Sequence, residues 1–225
     1  MPDTSSTPDT SGPSGPHDGS REGPTARALA RIAGMTVTAT SSAGRAADGP
    51  DGAGRAPALA KRNAPCLERA VLAHRGLPSA APENTMAAFC AAADAGARWI
   101  ETDIDLLADS TPVIIHDTAL GRTTDRSGSI YGLRAADLEN IDAGGWFGPG
   151  FAGQRIPTLD SFIDFMNERG INANIELKAN EQGAARSIEL VDALAAALER
   201  LDACRQVLVS SFSQPLLMAF HQRHP

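Results

Sequence analysis

The sequence predicts an α/β domain built on a parallel sheet, and three observations carry that reading. From residue 70 onward, short apolar β-type runs alternate with helical patterns, the signature of βαβ units. Composition divides the chain near residue 66, with every aromatic residue on one side and few large aliphatics on the other. Polar residues able to do chemistry gather where the apolar runs end, which is where α/β sheets carry their sites.

The elements follow in order. Val71 to Ala73 reads as a first strand, and Thr85 to Ala95 as an Ala-rich helix ending at Gly96, a residue suited to a C-cap. Trp99 to Leu106 is strand two and Pro112 to His116 strand three. The link between them, LADST, is too short for a crossover helix, so this pair departs from the strand-helix-strand rhythm. Residues 117 to 157 are Gly-rich and irregular, a candidate loop over a site. A helix from Leu159 to Arg169 precedes strand four, Ala173 to Lys178. A helix from Ala184 to Leu201, strand five from Val207 to Ser211 and a last helix from Gln214 complete the pattern.

Residues 1 to 65 have a different character. All ten aromatic residues lie after them, the first being Phe89, while this segment holds 9 Gly and 8 Pro. It cannot bury enough apolar surface to offset its ordering entropy, so it reads as a disordered tail before a globular domain at 66 to 225. The tail has 7 Lys and Arg against 6 Asp and Glu, leaving 13 bases and 21 acids in the domain, a net of -8 within the chain's total of -7. An acidic domain of this kind argues against nucleic acid or anionic lipid as the main partner. Any phosphate must be held locally.

Cys66, Cys90 and Cys204 are odd in number and far apart, so they build neither a disulfide framework nor a zinc knuckle, and a reducing compartment is the simpler reading. No apolar stretch reaches the roughly 18 residues of a membrane helix, and the first thirty residues lack a basic start followed by an apolar run. The expectation is a cytoplasmic protein without a membrane anchor.

Strand one ends in His74, Arg75 and Gly76; strand two carries Glu101 and Asp103; strand three ends in His116 and Asp117; strand four ends in Glu176 and Lys178. Side chains two apart on a strand share a face, so Glu101 points with Asp103 and Glu176 with Lys178. Three carboxylates converging from two strands repel unless something positive sits among them, and a hard divalent cation suits oxygen ligands. The bland alternative for any one of these acids is an ordinary surface or ion-paired group. His74 and His116 at neighbouring strand ends make a candidate general acid and base. His17, His221 and His224 carry no such signal.

These residues sit within LAHRG, PENTMAAF, IETDIDLLADSTPVIIHDTALGRTT, IDAGGWF, IPTL, NIELK and VLVSSF. In that order and spacing, over about residues 69 to 220, they resemble the glycerophosphodiester phosphodiesterases, particularly the compact bacterial cytoplasmic type. The resemblance implies a (β/α) TIM-type barrel of the PLC-like phosphodiesterase kind. It further implies that Glu101, Asp103 and Glu176 bind a divalent metal, Mg2+ before Ca2+, and that His74 and His116 form the acid-base pair. Arg75 is then a phosphate ligand and Lys178 a cation beside the developing phosphorane charge. Glu83 and Asn84, of the PENT motif, are expected beside the site, with Asn84 also a candidate N-cap of the first helix. Trp146 and Phe147 are expected to form an apolar wall for substrate. Ser210 and Ser211 read as structural.

A closed eight-stranded barrel usually needs about 200 residues or more. Only 157 run from Arg69 to Pro225. The sequence therefore reads as a barrel truncated after strand five, with exposed edges that favour self-association. Two functions stay open: hydrolysis of a small glycerophosphodiester substrate, or an inactive remnant that binds phosphate or metal without turnover.

Overall fold

A computed structural model describes residues 70 to 224 of the chain. The tail expectation for 1 to 65, and with it His17 and Cys66, lies outside the described residues. The elements are β1 (Leu72–His74), α1 (Met86–Asp94), β2 (Trp99–Leu106), β3 (Pro112–Ile114), α2 (Leu159–Arg169), β4 (Asn172–Leu177), α3 (Ala184–Leu198), β5 (Val207–Ser210) and α4 (Gln214–Arg223). Two of them, β2 and α2, have the bounds expected from sequence; the others shift by one to three residues at an end.

The parallel order is β1, β2, β4, β5, and β3 lies off this path against β2. The pair that departs from the strand-helix-strand rhythm is antiparallel: β3 runs against β2, with Ile104 opposite Ile114 and Asp105 opposite Val113. The short link LADST can only form a hairpin, and Ser110 takes the left-handed conformation (φ 68°) that a tight hairpin connection needs. The pairing continues past β3, where Ile115 N–H donates to the Asp103 carbonyl at 3.0 Å. His116 is thereby returned to the middle of β2 rather than carried to its far end.

Alternation along β2 and β4 separates two chemistries. Ile100, Ile104, Leu106, Ala173, Ile175 and Leu177 join one buried core with Phe89 of α1, Phe162 and Met166 of α2, and Leu190, Val191 and Leu194 of α3. Glu101, Asp103 and Glu176 occupy the intervening positions, and so project from the opposite face. Phe89 and Phe162 meet with ring centroids 4.8 Å apart. Each helix is placed by local chemistry. Thr158 caps α2 by accepting from Ser161 N–H at 3.2 Å, and Gly170 ends it in the left-handed conformation.

At α1 two expectations are corrected. The N-cap is Thr85, not Asn84: its hydroxyl oxygen accepts from Ala88 N–H at 3.3 Å. The C-cap is Ala95, and Gly96 follows it at φ 87°, the position past the cap where glycine's freedom is needed. The stretch between β3 and α2 is irregular as expected, with four short 3-10 helices (Leu120–Arg122, Ile130–Gly132, Ala135–Asn140 and Pro149–Phe151). It is not a bare loop, because Leu107, Val113, Ile115, Leu120, Ile130, Leu138, Ile141, Ala143 and Ile156 form a second apolar cluster beneath it.

Among the described residues, β1 pairs only with β2 and β5 only with β4. All four residues of β5 are half-buried, and Phe212 just beyond it is exposed. No described helix is long and apolar enough to cross a membrane.

Candidate active site

The end of β1 is built to turn sharply. Arg75 (φ 55°), Gly76 (φ 91°) and Asn84 (φ 53°) all take left-handed backbone conformations. Arg75 N–H donates to the Glu101 carbonyl at 2.8 Å, and Asn84 N–H donates to the Arg75 carbonyl at 3.0 Å. These bonds tie the His-Arg-Gly turn, the PENT segment and β2 into one unit. Gly76 is required twice over, by its φ and because a Cβ there would lie 2.6 Å from the Ala88 backbone of α1.

Strand register then assembles the acids. Glu101 of β2 pairs with His74 of β1, and Asp103 with Glu176 of β4. One oxygen from each of Glu101, Asp103 and Glu176 lies within 4.8 Å of the others, and all three residues are buried. Burial, followed by the charges of Asp103 and Glu176, pushes the Glu101 carboxyl up to about 8. Burial and Asp103 likewise raise Glu176 above its ordinary value.

The neighbouring cations compensate only part of this charge. Lys178 Nζ lies 3.9 Å from Asp103 and 3.7 Å from Glu176, while Arg75 Nε lies 3.4 Å from Asp103. Glu101 Oε2 is buried and has no hydrogen-bond partner, and His74 Nε2 lies 3.7 Å from it. A buried carboxylate oxygen without a partner, beside two more oxygen donors, is the donor set a hard divalent cation requires, so the residues fit such an ion.

Around this cluster His74, Asn84 and Glu83 are held as follows. The His74 imidazole is drawn below 6.5 by partial loss of water and then by Arg75. Asn84 donates from Nδ2 to Asp103 Oδ2 at 3.2 Å and accepts from the Thr102 hydroxyl at 2.9 Å. Its side chain thus orients a candidate ligand instead of capping a helix. Glu83 accepts from Arg75 Nη1 at 2.8 Å.

Trp146 and Phe147 are not joined to the acids by any hydrogen bond or ion pair. They meet edge to face at 5.7 Å, Phe147 meets Phe151 in the same way at 5.2 Å, and the Trp146 indole N–H donates to the Ala143 carbonyl at 3.0 Å. Asp142 accepts from the N–H groups of Gly144 and Gly145 to shape this loop, and a Cβ on Gly144 would collide with the Phe151 carbonyl. Ser211 is structural as expected: its hydroxyl donates to the Leu177 carbonyl at 2.7 Å. Ser210 Oγ is buried and unpartnered.

Sequence reasoning missed two groups. Arg122 donates from Nη1 and Nη2 to both oxygens of Glu83, each at 2.9 Å, and from Nε to Asp117 at 2.5 Å. Asp105 accepts from the Tyr131 hydroxyl and from Asn180 Nδ2, both at 2.8 Å, and Tyr131 in turn accepts from Glu181 N–H at 3.0 Å. That chain fastens the segment after β3 to the turn after Lys178. The only signals were the GRTT stretch and the second Asp following Asp103, and neither type of residue announces a partner so distant in the chain.

The profile of the glycerophosphoryl diester phosphodiesterase family matches residues 74–225. The glycerophosphodiester phosphodiesterase of Caldanaerobacter subterraneus subsp. tengcongensis is 35% identical over 147 residues, covering 65% of this chain and 59% of that one. Among solved structures, an Oleispira antarctica phosphodiesterase in complex with the product sn-glycerol-3-phosphate superposes with a TM-score of 0.66 at 37% identity, over 69% of this chain and 62% of the other. The glycerophosphodiester phosphodiesterase of Agrobacterium tumefaciens str. C58 gives a TM-score of 0.60 at 32% identity, over 68% and 62%. The chain spans 45%, 59% and 56% of the lengths of three curated relatives. Its α/β fold is that of the TIM-barrel enzymes it superposes on. On the matched profile and the shared fold, the chain belongs to the glycerophosphoryl diester phosphodiesterase family.

Proposed function

We propose that the protein hydrolyses glycerophosphodiesters to glycerol 3-phosphate and an alcohol, by metal-dependent histidine acid-base catalysis through a cyclic phosphate. The observation that carries this reading is the buried cluster of Glu101, Asp103 and Glu176 with its unpartnered Glu101 oxygen, at the end of the sheet where His74 also lies. The product bound to the Oleispira antarctica relative supports the choice of substrate class.

Glu101, Asp103 and Glu176 would hold the cation, Mg2+ in preference to Ca2+, which when bound neutralises phosphodiester charge and acidifies a nearby hydroxyl. Arg75 and Lys178 place positive charge beside the same carboxylates, suited to oxygens that gain charge as phosphorus is attacked. One of His74 and His116 takes the proton of the attacking glycerol hydroxyl, and the other gives a proton to the departing alcohol. The roles exchange when water opens the cyclic phosphate. Glu83 and Asn84 act through Arg75 and Asp103, and Trp146 with Phe147 offers an apolar wall. The odd number and wide spacing of Cys66, Cys90 and Cys204 favour a reducing, cytoplasmic setting.

The test is release of glycerol 3-phosphate from glycerophosphocholine by the 225-residue chain with Mg2+, with Ca2+ and with EDTA. Release that EDTA abolishes and added metal restores is expected. Full activity in excess EDTA would overturn the metal assignment, and metal binding without release would favour the binding-only reading.

A further inference from the structure

The residues around His116 form a continuous run of alternating charge that the family resemblance does not explain. Arg75 Nη1 donates to Glu83 Oε1, Glu83 takes two further bonds from Arg122, Arg122 Nε donates to Asp117 Oδ2, and Asp117 Oδ1 meets His116 Nδ1 at 2.5 Å. Arg122 comes from a short 3-10 helix, Glu83 from the turn before α1, and Asp117 from the chain just past β3. One guanidinium therefore joins two loops that carry candidate catalytic groups, using three of its nitrogens on two carboxylates. A lysine, with one compact ammonium, cannot reproduce that span.

The chemistry of the run determines what it does to the imidazole. An ionised carboxylate only accepts hydrogen bonds, so the proton between Asp117 Oδ1 and His116 Nδ1 sits on nitrogen. In the neutral ring that leaves Nε2 as the acceptor. Asp117 can hold this orientation only while its other oxygen is pinned, and Arg122 Nε pins it. We propose that Arg122, acting through Asp117, is a positioning residue that fixes His116 in the Nδ1–H tautomer and thereby assigns its proton exchange with substrate to Nε2. The catalytic part of this statement rests on the phosphodiesterase reading above; the tautomer part does not.

Two substitutions separate the parts. In Asp117→Asn, Arg122 still claims the side-chain oxygen, so the amide NH2 is turned toward His116 Nδ1 and donates to it, which favours the opposite tautomer. In Arg122→Lys the carboxylate loses its pin but keeps its charge. The measurement is a long-range proton-nitrogen NMR spectrum of the ring nitrogens in the 15N-labelled full chain, with His116→Ala used to assign the signals. The wild type is expected to show Nδ1 protonated. Asp117→Asn should move His116 to the Nε2–H form and lower kcat by about 10- to 100-fold, with KM within about twofold, as for loss of an orienting partner. Arg122→Lys should give a mixed tautomer population and about a tenfold fall in kcat.

An unchanged tautomer in both variants, or a wild type with Nε2 protonated, would overturn the proposal. If Arg122→Lys does not fold, Asp117→Asn decides alone. A wild type that turns over no glycerophosphodiester would overturn the phosphodiesterase reading, while the NMR spectrum still decides the tautomer.

Discussion

His74 ends β1 and His116 follows β3, and in the proposed reaction one of them accepts a proton while the other donates one. His74→Ala and His116→Ala should each lower kcat by about 10²- to 10⁴-fold, the usual range for one general acid or base. Metal affinity, followed by titration calorimetry, should change little in either. A kcat within about threefold of wild type would return that histidine to an ordinary strand-end role. The carboxylates behave differently, because each is an oxygen donor and their burial and mutual repulsion raise Glu101 to about 8 and Glu176 above its ordinary value. An ion that binds only the native state stabilises it by mass action, about 2.7 kcal/mol at a hundredfold excess over Kd. Saturating Mg2+ should therefore raise the melting temperature of the wild type, and Glu176→Gln should remove most of that rise along with turnover. A rise of equal size in the variant would mean that the ion binds elsewhere.

Between β1 and α1, a single glycine decides how closely helix and strand approach. Gly76 passes over the Ala88 backbone with no room for a Cβ and with φ at 91°. Gly76→Ala is expected to destabilise the fold by more than about 1 kcal/mol, since it adds both a forbidden backbone conformation and a collision with α1. Urea unfolding measures this, and an unchanged midpoint would mean that α1 yields freely. The residues beside Gly76 accept related strain. Arg75 and Asn84 hold left-handed conformations without being glycine, and both side chains are committed to Asp103 or its surroundings. Strain is retained there because it aims groups at the acids. The hairpin of β2 and β3 serves the same end, folding His116 back toward the level of Asp103.

Across the whole molecule, Arg122 couples the loops around the site, and that coupling should be visible as pH-dependent stability. Its hydrogen bond holds Asp117 down to about 2. At Glu83 burial acts upward, but the bonds from Arg122 and Arg75 outweigh it and keep the carboxyl below 4.5. Carboxylates depressed in the folded state contribute stability that is fully present above their unfolded values and is lost as pH falls through the folded ones. Wild type should accordingly lose stability between about pH 4.5 and pH 2. Arg122→Met should start less stable near neutrality and decline less across that window. Urea midpoints at several pH values test this, and parallel curves for the two proteins would remove Arg122 from the account.

The residue pattern alone determined the alternation of strands and helices, the bounds of β2 and α2, and the sharing of one face by Glu101 and Asp103. All of these follow from periodicities of 2 and 3.6 residues, which are local. It also marked His74, His116, Glu176 and Lys178, because functional groups at strand ends are recognisable one strand at a time. The tertiary structure alone decided the antiparallel direction of β3, the turning of Asn84 from a helix cap to Asp103, the apolar cluster under the segment between β3 and α2, and the place of Arg122. Glu83 and Arg122 are 39 positions apart, and Asp105 and Asn180 are 75 apart. No local period encodes such pairs; they form only when the path of the chain brings a donor to an acceptor that burial forbids to stay unpaired.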